Sequence, residues 1–293
     1  MNPKFQSNRS RRDLLAALAF FGAQNVGAVA YPVREPQGAA ILMTVNQRHI
    51  LSIRNSETAR RALLPPGSTL KPLSLLALIE AGKLGPGDEY LCRQELTIEG
   101  HRLTCSHPAG LPPMNITRAI AYSCNCAVAY FAQRFAPGEL ANTLARAGLC
   151  GPTGFLSEAE AAGEVRSDVT GPRAQLQALG EAGVELTPLE LLAAYRQLAR
   201  TVSQAHMVPI IDGLEGAVEY GTAQQARLSR IRVAGKTGTT LTSTGAHAAW
   251  FAGFAPSRAP EVAIVVLVQG RSGGADAAPV AGTLLREYFG ARN

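Results

Sequence analysis

Strand-forming segments stand at both ends of this 293-residue chain, and the stretch between them is patterned for helices. Near the start, Ala39 to Val45 and His49 to Arg54 are strand-like runs joined by Asn46-Gln47, which reads as a hairpin. Near the end, Ile231 to Thr239, His247 to Ala255 and Glu261 to Gln269 are three more, with polar, Gly- or Pro-containing connections. Strands at both termini with helices between them imply one sheet built from both ends, about 39–55 and 231–270, with a helical insertion over about 85–210.

The helical segments are legible one by one. Within Thr117 to Phe135, apolar residues at Ile120, Cys124, Ala127, Val128, Phe131 and Phe135 follow helical spacing. Pro137 to Gly148 reads as a short helix, and Gly151 to Gly171 as an irregular, mainly polar stretch carrying Glu158, Glu160 and Glu164. Thr187-Pro188-Leu189-Glu190 opens the next helix with Pro at its first position and Glu at the capping-box position. That helix is predicted to run to about Thr201, followed by helical stretches over Asp212 to Leu228 and Val280 to Phe289. Ser56 to Leu64 reads as a polar connection.

The first 30 residues are predicted to be a signal peptide. Arg9, Arg11 and Arg12 form a basic region, Leu14 to Ala23 a short apolar one, and Ala28-Val29-Ala30 an A-x-A cleavage site. Ser10-Arg11-Arg12-Asp13-Leu14-Leu15 resembles a twin-arginine signal, the kind that exports folded proteins. The apolar run is too short to span a bilayer. Residues 31–293 are then expected as one exported domain, placed in the periplasm or cell envelope. Lys4, Arg9, Arg11 and Arg12 against Asp13 supply half of the net charge of +6, so the remainder has no nucleic-acid footprint.

An oxidising destination makes the five cysteines informative. Cys92 and Cys105 flank Glu95 to Leu103, whose Glu99-Gly100 suggests a hairpin turn, so a bridge closing that hairpin is the expected disulfide. Cys124 and Cys126 would point apart on a helix and should not pair with each other. Cys150 is left as a partner for one of them. A zinc site built from these cysteines with His101 and His107 is the sharper alternative. No C-x-x-C spacing supports it, so no metal or other cofactor is expected.

The chemistry begins at Leu64-Pro65-Pro66-Gly67-Ser68-Thr69-Leu70-Lys71-Pro72. Pro65, Pro66 and Gly67 form a turn, Ser68 sits where a helix N-cap is expected, and an unbroken apolar run follows Pro72. Ser68 and Lys71, three apart, share a face of the first turn. A serine hydroxyl is a weak nucleophile until a base takes its proton, and a desolvated lysine can do so. Free N–H groups at the helix start can stabilise an oxyanion.

Two further pieces accompany it. Ser123-Cys124-Asn125 lies inside the Thr117 to Phe135 segment, and in a straight helix Ser123 and Asn125 would face nearly opposite ways. A shared site therefore requires a bend or helix junction there. The strand from Ile231 ends in Gly235-Lys236-Thr237-Gly238-Thr239-Thr240, where a lysine and hydroxyls can hold a carboxylate and Gly238 lets an extended peptide approach the backbone.

Ser-x-x-Lys at Ser68, Ser-x-Asn at Ser123 and Lys-Thr-Gly at Lys236, in this order, resemble the motifs of the penicillin-binding transpeptidases. Leu186-Thr187-Pro188-Leu189-Glu190, Gly221-Thr222-Ala223 and Trp250-Phe251-Ala252-Gly253-Phe254 extend the resemblance over nearly all the mature chain. It implies an α/β (α+β) fold: a five-stranded antiparallel sheet flanked by helices, plus a mostly helical subdomain carrying Ser-x-Asn. It also implies that Ser68 is the acylated nucleophile, Lys71 its base and Ser123 a proton relay. Asn125 would bind the substrate backbone, Lys236 support the relay and attract the substrate carboxylate, and Thr237 and Thr239 contact that carboxylate. The oxyanion hole would be the N–H groups of Ser68 and Thr239. The implied partners are peptidoglycan stem peptides ending in D-Ala-D-Ala, β-lactams as their mimics, and a peptidoglycan glycosyltransferase.

The sequence holds little beyond one such domain, which brings a D,D-carboxypeptidase and a serine β-lactamase into comparison with the D,D-transpeptidase reading. A β-lactam sensor ranks last, because a cleaved signal leaves it no membrane route. Class A lactamases need a glutamate with an asparagine four residues later. Glu158 is followed by Ala162, and Glu160 by Glu164, so neither fits. Class D enzymes end their second motif in valine, where this chain has Asn125.

Overall fold

The two ends of the chain meet in a single sheet. The computed structural model describes residues 38–242 and 245–291, so the predicted signal segment lies outside the described residues. Strands β1 (Gly38–Thr44) and β2 (Ile50–Arg54) form the expected N-terminal hairpin. The polar connection that follows instead opens as a helix, α1 (Ser56–Arg61). Asn55 caps it by accepting from the Thr58 N–H, and Glu57 pairs with Arg60 and Arg61 one turn on, which holds this mainly polar helix with Ala59 as its one buried residue.

A 3-10 turn over Gly67–Leu70 runs into α2 (Lys71–Glu80), with Pro72 in its first turn, where the missing N–H costs nothing. Ser68 thus lies inside the turn that precedes the helix and is not its N-cap. Strands β3 (Glu95–Ile98) and β4 (His101–Thr104) pair across Glu99 and Gly100, both at positive φ, as the hairpin reading requires. The next segment is two helices, α3 (Ile116–Ala121) and α4 (Asn125–Ala132). Then come α5 (Glu139–Arg146), the two-residue strand β5 (Glu164–Val165), α6 (Pro172–Leu179) and β6 (Val184–Glu185), which pairs with β5.

Helix α7 (Pro188–Arg200) begins with the predicted capping box: the Glu190 N–H donates to Thr187 and the Glu190 carboxylate accepts from the Thr187 N–H. The same carboxylate accepts from Gly151 and Gly163 N–H groups, so one glutamate also fastens the irregular stretch. Helix α8 (Val208–Glu219) starts earlier and ends sooner than its sequence pattern suggests. Strands β7 (Ala234–Leu241), β8 (His247–Ala255) and β9 (Val262–Gln269) and helix α9 (Ala278–Gly290) complete the chain.

The five strands run β2-β1-β9-β8-β7, every neighbour antiparallel. Strand β1 pairs along its length with β9, from Gly38 opposite Val268 to Thr44 opposite Val262. Both faces are covered, which explains the near-continuous apolar runs. Ile41, Met43, Val265 and Trp250 pack with α7 on one side. Ala40, Leu42, Ile264 and Val266 pack with Ala281, Leu284 and Leu285 of α9 on the other. Strand β7 is an edge of the sheet and lies beside the Ser68 turn. Among the described residues no helix is long and apolar enough to cross a membrane.

Candidate active site

The Ser68 turn is fixed by hydrogen bonds to three separate parts of the fold. Trp250 of β8 donates its indole N–H to the Pro65 carbonyl at 3.1 Å, and Tyr195 of α7 donates its hydroxyl to the Thr69 carbonyl at 2.8 Å. Both side chains are fully buried. Gly67 donates its N–H to the Gly180 carbonyl just beyond α6 at 3.0 Å, and Ser74 donates to the Ala178 carbonyl at 2.9 Å. Gly67 sits at φ +53 with Thr240 against it: a Cβ there would lie 2.7 Å from the Thr240 methyl, so only glycine fits. Ser68 itself is half-buried, at the mouth of this packed turn.

Ser123 occupies the junction between α3 and α4 that a shared site requires. Its φ of +54 is the left-handed conformation that ends one helix, and Cys124 restarts the next by accepting from the Ala127 N–H. The Ser123 hydroxyl accepts from Lys71 Nζ at 3.2 Å and from Lys236 Nζ at 2.8 Å. Lys71 also donates to the Ser123 carbonyl at 2.8 Å and to Asn125 Oδ1 at 2.5 Å. Asn125 in turn donates to the Thr104 carbonyl at the end of β4 at 2.9 Å.

Both lysines are fully buried. Burial pulls Lys71 down to about 8, a fall limited by the neighbouring Cys124 sulfur and the Glu181 carboxyl. Lys236 falls well below its ordinary value, through burial first and the neighbouring Lys71 charge second. Burial therefore brings the neutral form of Lys71 within reach near neutral pH, as the lesser fraction below about 8. Lys236 Nζ donates to the Ser123 hydroxyl and to the Thr237 carbonyl at 3.0 Å.

Threonine hydroxyls line β7. Thr237 donates to Thr222 at 2.7 Å, and Thr239 accepts from the Gly273 N–H at 3.1 Å. Thr222 is a member of the site that motif reading had only as part of Gly221-Thr222-Ala223. Gly238 has a role besides ligand approach: a Cβ there would lie 2.6 Å from the Pro66 carbonyl oxygen, so its absence lets β7 press against the Ser68 turn.

Residues 38–286 match the family model described as penicillin binding protein transpeptidase domain. The chain belongs to the penicillin-binding protein transpeptidase family. It is 24% identical to Stage V sporulation protein D of Bacillus subtilis, over 76% of this chain and 41% of that protein. It is 25% identical to Peptidoglycan D,D-transpeptidase PbpA of Mycolicibacterium smegmatis, over 74% of this chain and 53% of that protein. The chain thus spans only about half, or less, of the curated relatives it matches. Its fold is that of the transpeptidase domain of Burkholderia pseudomallei penicillin-binding protein 3. The TM-score is 0.77 at 21% identity, covering 88% of this chain and 89% of that one.

Within this transpeptidase fold several sequence expectations need correction. Cys92 and Cys105 are not bonded, their sulfurs standing 3.7 Å apart, because Cys105 faces Cys124 and Cys126 as well. Cys150 is exposed and remote in contact from the other four, so it pairs with neither Cys124 nor Cys126. His101 is exposed at the start of β4, whereas His107 is buried. Glu160 is absorbed in fastening the Thr153–Leu156 loop, accepting from Thr153, Phe155 and Leu156 N–H groups. The glutamate that does reach the site is Glu181, next to Gly180. Burial pushes its carboxyl up, and Lys71 and then His101 pull it back. No motif announced it, since its position depends on how α6 ends against Gly67.

Proposed function

We propose that the chain is a peptidoglycan D,D-transpeptidase that works through an acyl-enzyme at Ser68. The observation that carries this reading is the Ser123 hydroxyl held between two buried lysines beside the Ser68 turn. The Ser68 oxygen attacks the carbonyl of the penultimate D-Ala, and its proton passes to neutral Lys71. Backbone N–H groups of Ser68 and Thr239 receive the oxyanion. Ser123 donates its proton to the leaving D-Ala amine, and the lysines restore it. An acceptor amine from a second stem peptide then displaces Ser68 and closes the cross-link. The substrate lies as an extra strand along the β7 edge, with Asn125 binding its backbone and Thr237 and Thr239 its carboxylate.

This reaction joins glycan strands that another enzyme must supply, so a peptidoglycan glycosyltransferase is the proposed partner class. Residues 1–30 are proposed as a twin-arginine-like export signal and 31–293 as the exported domain of the cell envelope. A mature N-terminus near Tyr31 would support that assignment, and one before Leu14 would refute it.

Hydrolysis is the second reading: Glu160 serves a loop and Glu158 and Glu164 are exposed, so a water-activating glutamate would have to be Glu181, whose charge Lys71 feels. A fluorescent penicillin should label purified protein stoichiometrically, with the adduct mapping to Ser68 and persisting once free penicillin is removed. Labelling that survives Ser68→Ala would sink the nucleophile assignment. Destruction of many penicillins per protein, with adduct loss in seconds, would make the protein a β-lactamase.

A further inference from the structure

Four of the five thiols meet where the β3–β4 hairpin leans on the α3–α4 junction. Cys105 Sγ stands 3.7 Å from Cys92 Sγ, 3.8 Å from Cys124 and 3.6 Å from Cys126, and Cys92 and Cys124 are 3.4 Å apart. One ligand atom from each of Cys92, Cys105, Cys124 and His107 falls within 4.8 Å of all the others. Zinc–sulfur bonds of about 2.3 Å in a tetrahedron place ligand sulfurs about 3.8 Å apart. Three of these thiols therefore already stand near the spacing of three corners.

His107 offers the fourth corner. It is 7% exposed, and its Nε2 is buried with no hydrogen-bond partner among the described residues. Its Nδ1 lies 2.9 Å from the Pro108 carbonyl, with the Gln94 side-chain amide also beside it. The Pro108 carbonyl oxygen only accepts and is nearer than the Gln94 amide nitrogen at 3.2 Å, so the proton is assigned to Nδ1 and the lone pair to Nε2. That is the tautomer a metal-binding imidazole needs, held by the outer hydrogen bond such ligands usually make. A disulfide between any two of the thiols would leave the third and this lone pair without a partner.

We propose that Cys92, Cys105, Cys124 and His107 Nε2 bind one thiophilic divalent cation of the zinc class in tetrahedral geometry. Thiolate and imidazole ligands select such a cation over calcium or magnesium. On binding, the three thiols release their protons to solvent and His107 enters neutral. Cys126 stands outside the ligand set as a neighbouring thiol.

The position gives the ion a task. Cys124 lies between Ser123 and Asn125 and caps α4, while Cys105 follows Thr104, whose carbonyl accepts from Asn125. The ion would lock the hairpin to the junction that aims Ser123 and Asn125 at the lysines. Its role is positioning, and its presence does not depend on the acyl-transfer reading.

Metal content of the purified full chain, and of its Ser68→Ala variant, is the direct test. About one zinc per chain is expected in both, and cobalt(II) exchanged into the site should give thiolate-to-metal charge-transfer absorption and intense tetrahedral visible bands. His107→Gln and Cys92→Ser should lose the ion, while Cys126→Ser keeps it. Removing the ion by chelation should slow penicillin acylation roughly tenfold, with recovery on adding zinc back. The cobalt spectrum is read on unmutated protein, so misfolding of a variant cannot mask the answer. Absence of cobalt bands, or thiol titration in denaturant that finds a disulfide among these cysteines, would overturn the site. Retention of zinc in His107→Gln with its loss in Cys126→Ser would overturn the ligand set. A full complement of zinc in a protein that penicillin does not acylate would uphold the site and refute the acyl-transfer reading.

Discussion

Lys236 Nζ donates to the Ser123 hydroxyl at 2.8 Å, across 113 positions of sequence. Lys71 approaches the same oxygen from another direction at 3.2 Å. A hydroxyl has two acceptor lone pairs and one proton. With both lone pairs engaged by lysines, the proton of Ser123 is left to point at whatever enters the site. In the proposed reaction this suits Ser123 to protonate the leaving group, because a neutral lysine has no acidic proton to give.

Ser123→Ala should lower the penicillin acylation rate by about 100-fold or more, the scale of one general acid. Ser123→Gly should fall as far, and it suits the φ of +54 better, so backbone strain is excluded as the cause. Rates should be read by rapid mixing with a fluorescent penicillin. Either variant acylating within about threefold of the parent would remove Ser123 from the relay.

The acylation rate should climb with pH and level off above about 8, the value to which burial lowers Lys71. The base is the neutral lysine, and on the acid side its fraction grows about tenfold per pH unit. A rate independent of pH between 6 and 8 would mean that Lys71 does not set it.

Glu181→Gln should shift that profile toward lower pH. The carboxylate of Glu181 holds Lys71 up, so removing its charge lets Lys71 lose its proton more readily. The midpoint should move down while the plateau rate stays within a few-fold. A midpoint that stays fixed or rises would show that the two groups do not communicate. A penicillin adduct that becomes longer-lived would reveal Glu181 as the base behind slow deacylation.

Tyr195→Phe should cost about 1–2 kcal/mol of stability, because the Thr69 carbonyl loses its buried donor. Denaturant unfolding measures this, and acylation should slow in parallel as the Ser68 turn loosens. An unchanged midpoint would mean that water replaces the hydroxyl.

The sheet was legible because strands buried on both faces, such as Ala263 to Val268, must be apolar throughout. The Thr187 capping box was legible because both of its hydrogen bonds are local. The break at Ser123 is different: no glycine or proline marks it, and sequence could say only that a shared site demands one. Its conformation is stabilised by Lys71, which arrives from α2. Glu181 was hidden for the same reason, and the cysteines with His107 could be raised only as an alternative, since each group is assembled from segments that meet only in the folded chain. Helix α1 was missed because its stabilisation comes from a cap and surface ion pairs, which leave no apolar stripe.

The pairing of β1 with β9 also fixes when the protein can fold. Gly38 has to wait for Val268, so nearly all of the chain must be synthesised before the central strand finds its partner. Closing so long a loop is slow, and until it closes an apolar strand edge stands open to other chains. The Ser68 turn shares that delay, because Trp250, which fastens it, belongs to the same late sheet. A chain cut short before β9 could therefore acquire helices but no working serine, and its exposed β1 would be a site for aggregation or for a chaperone.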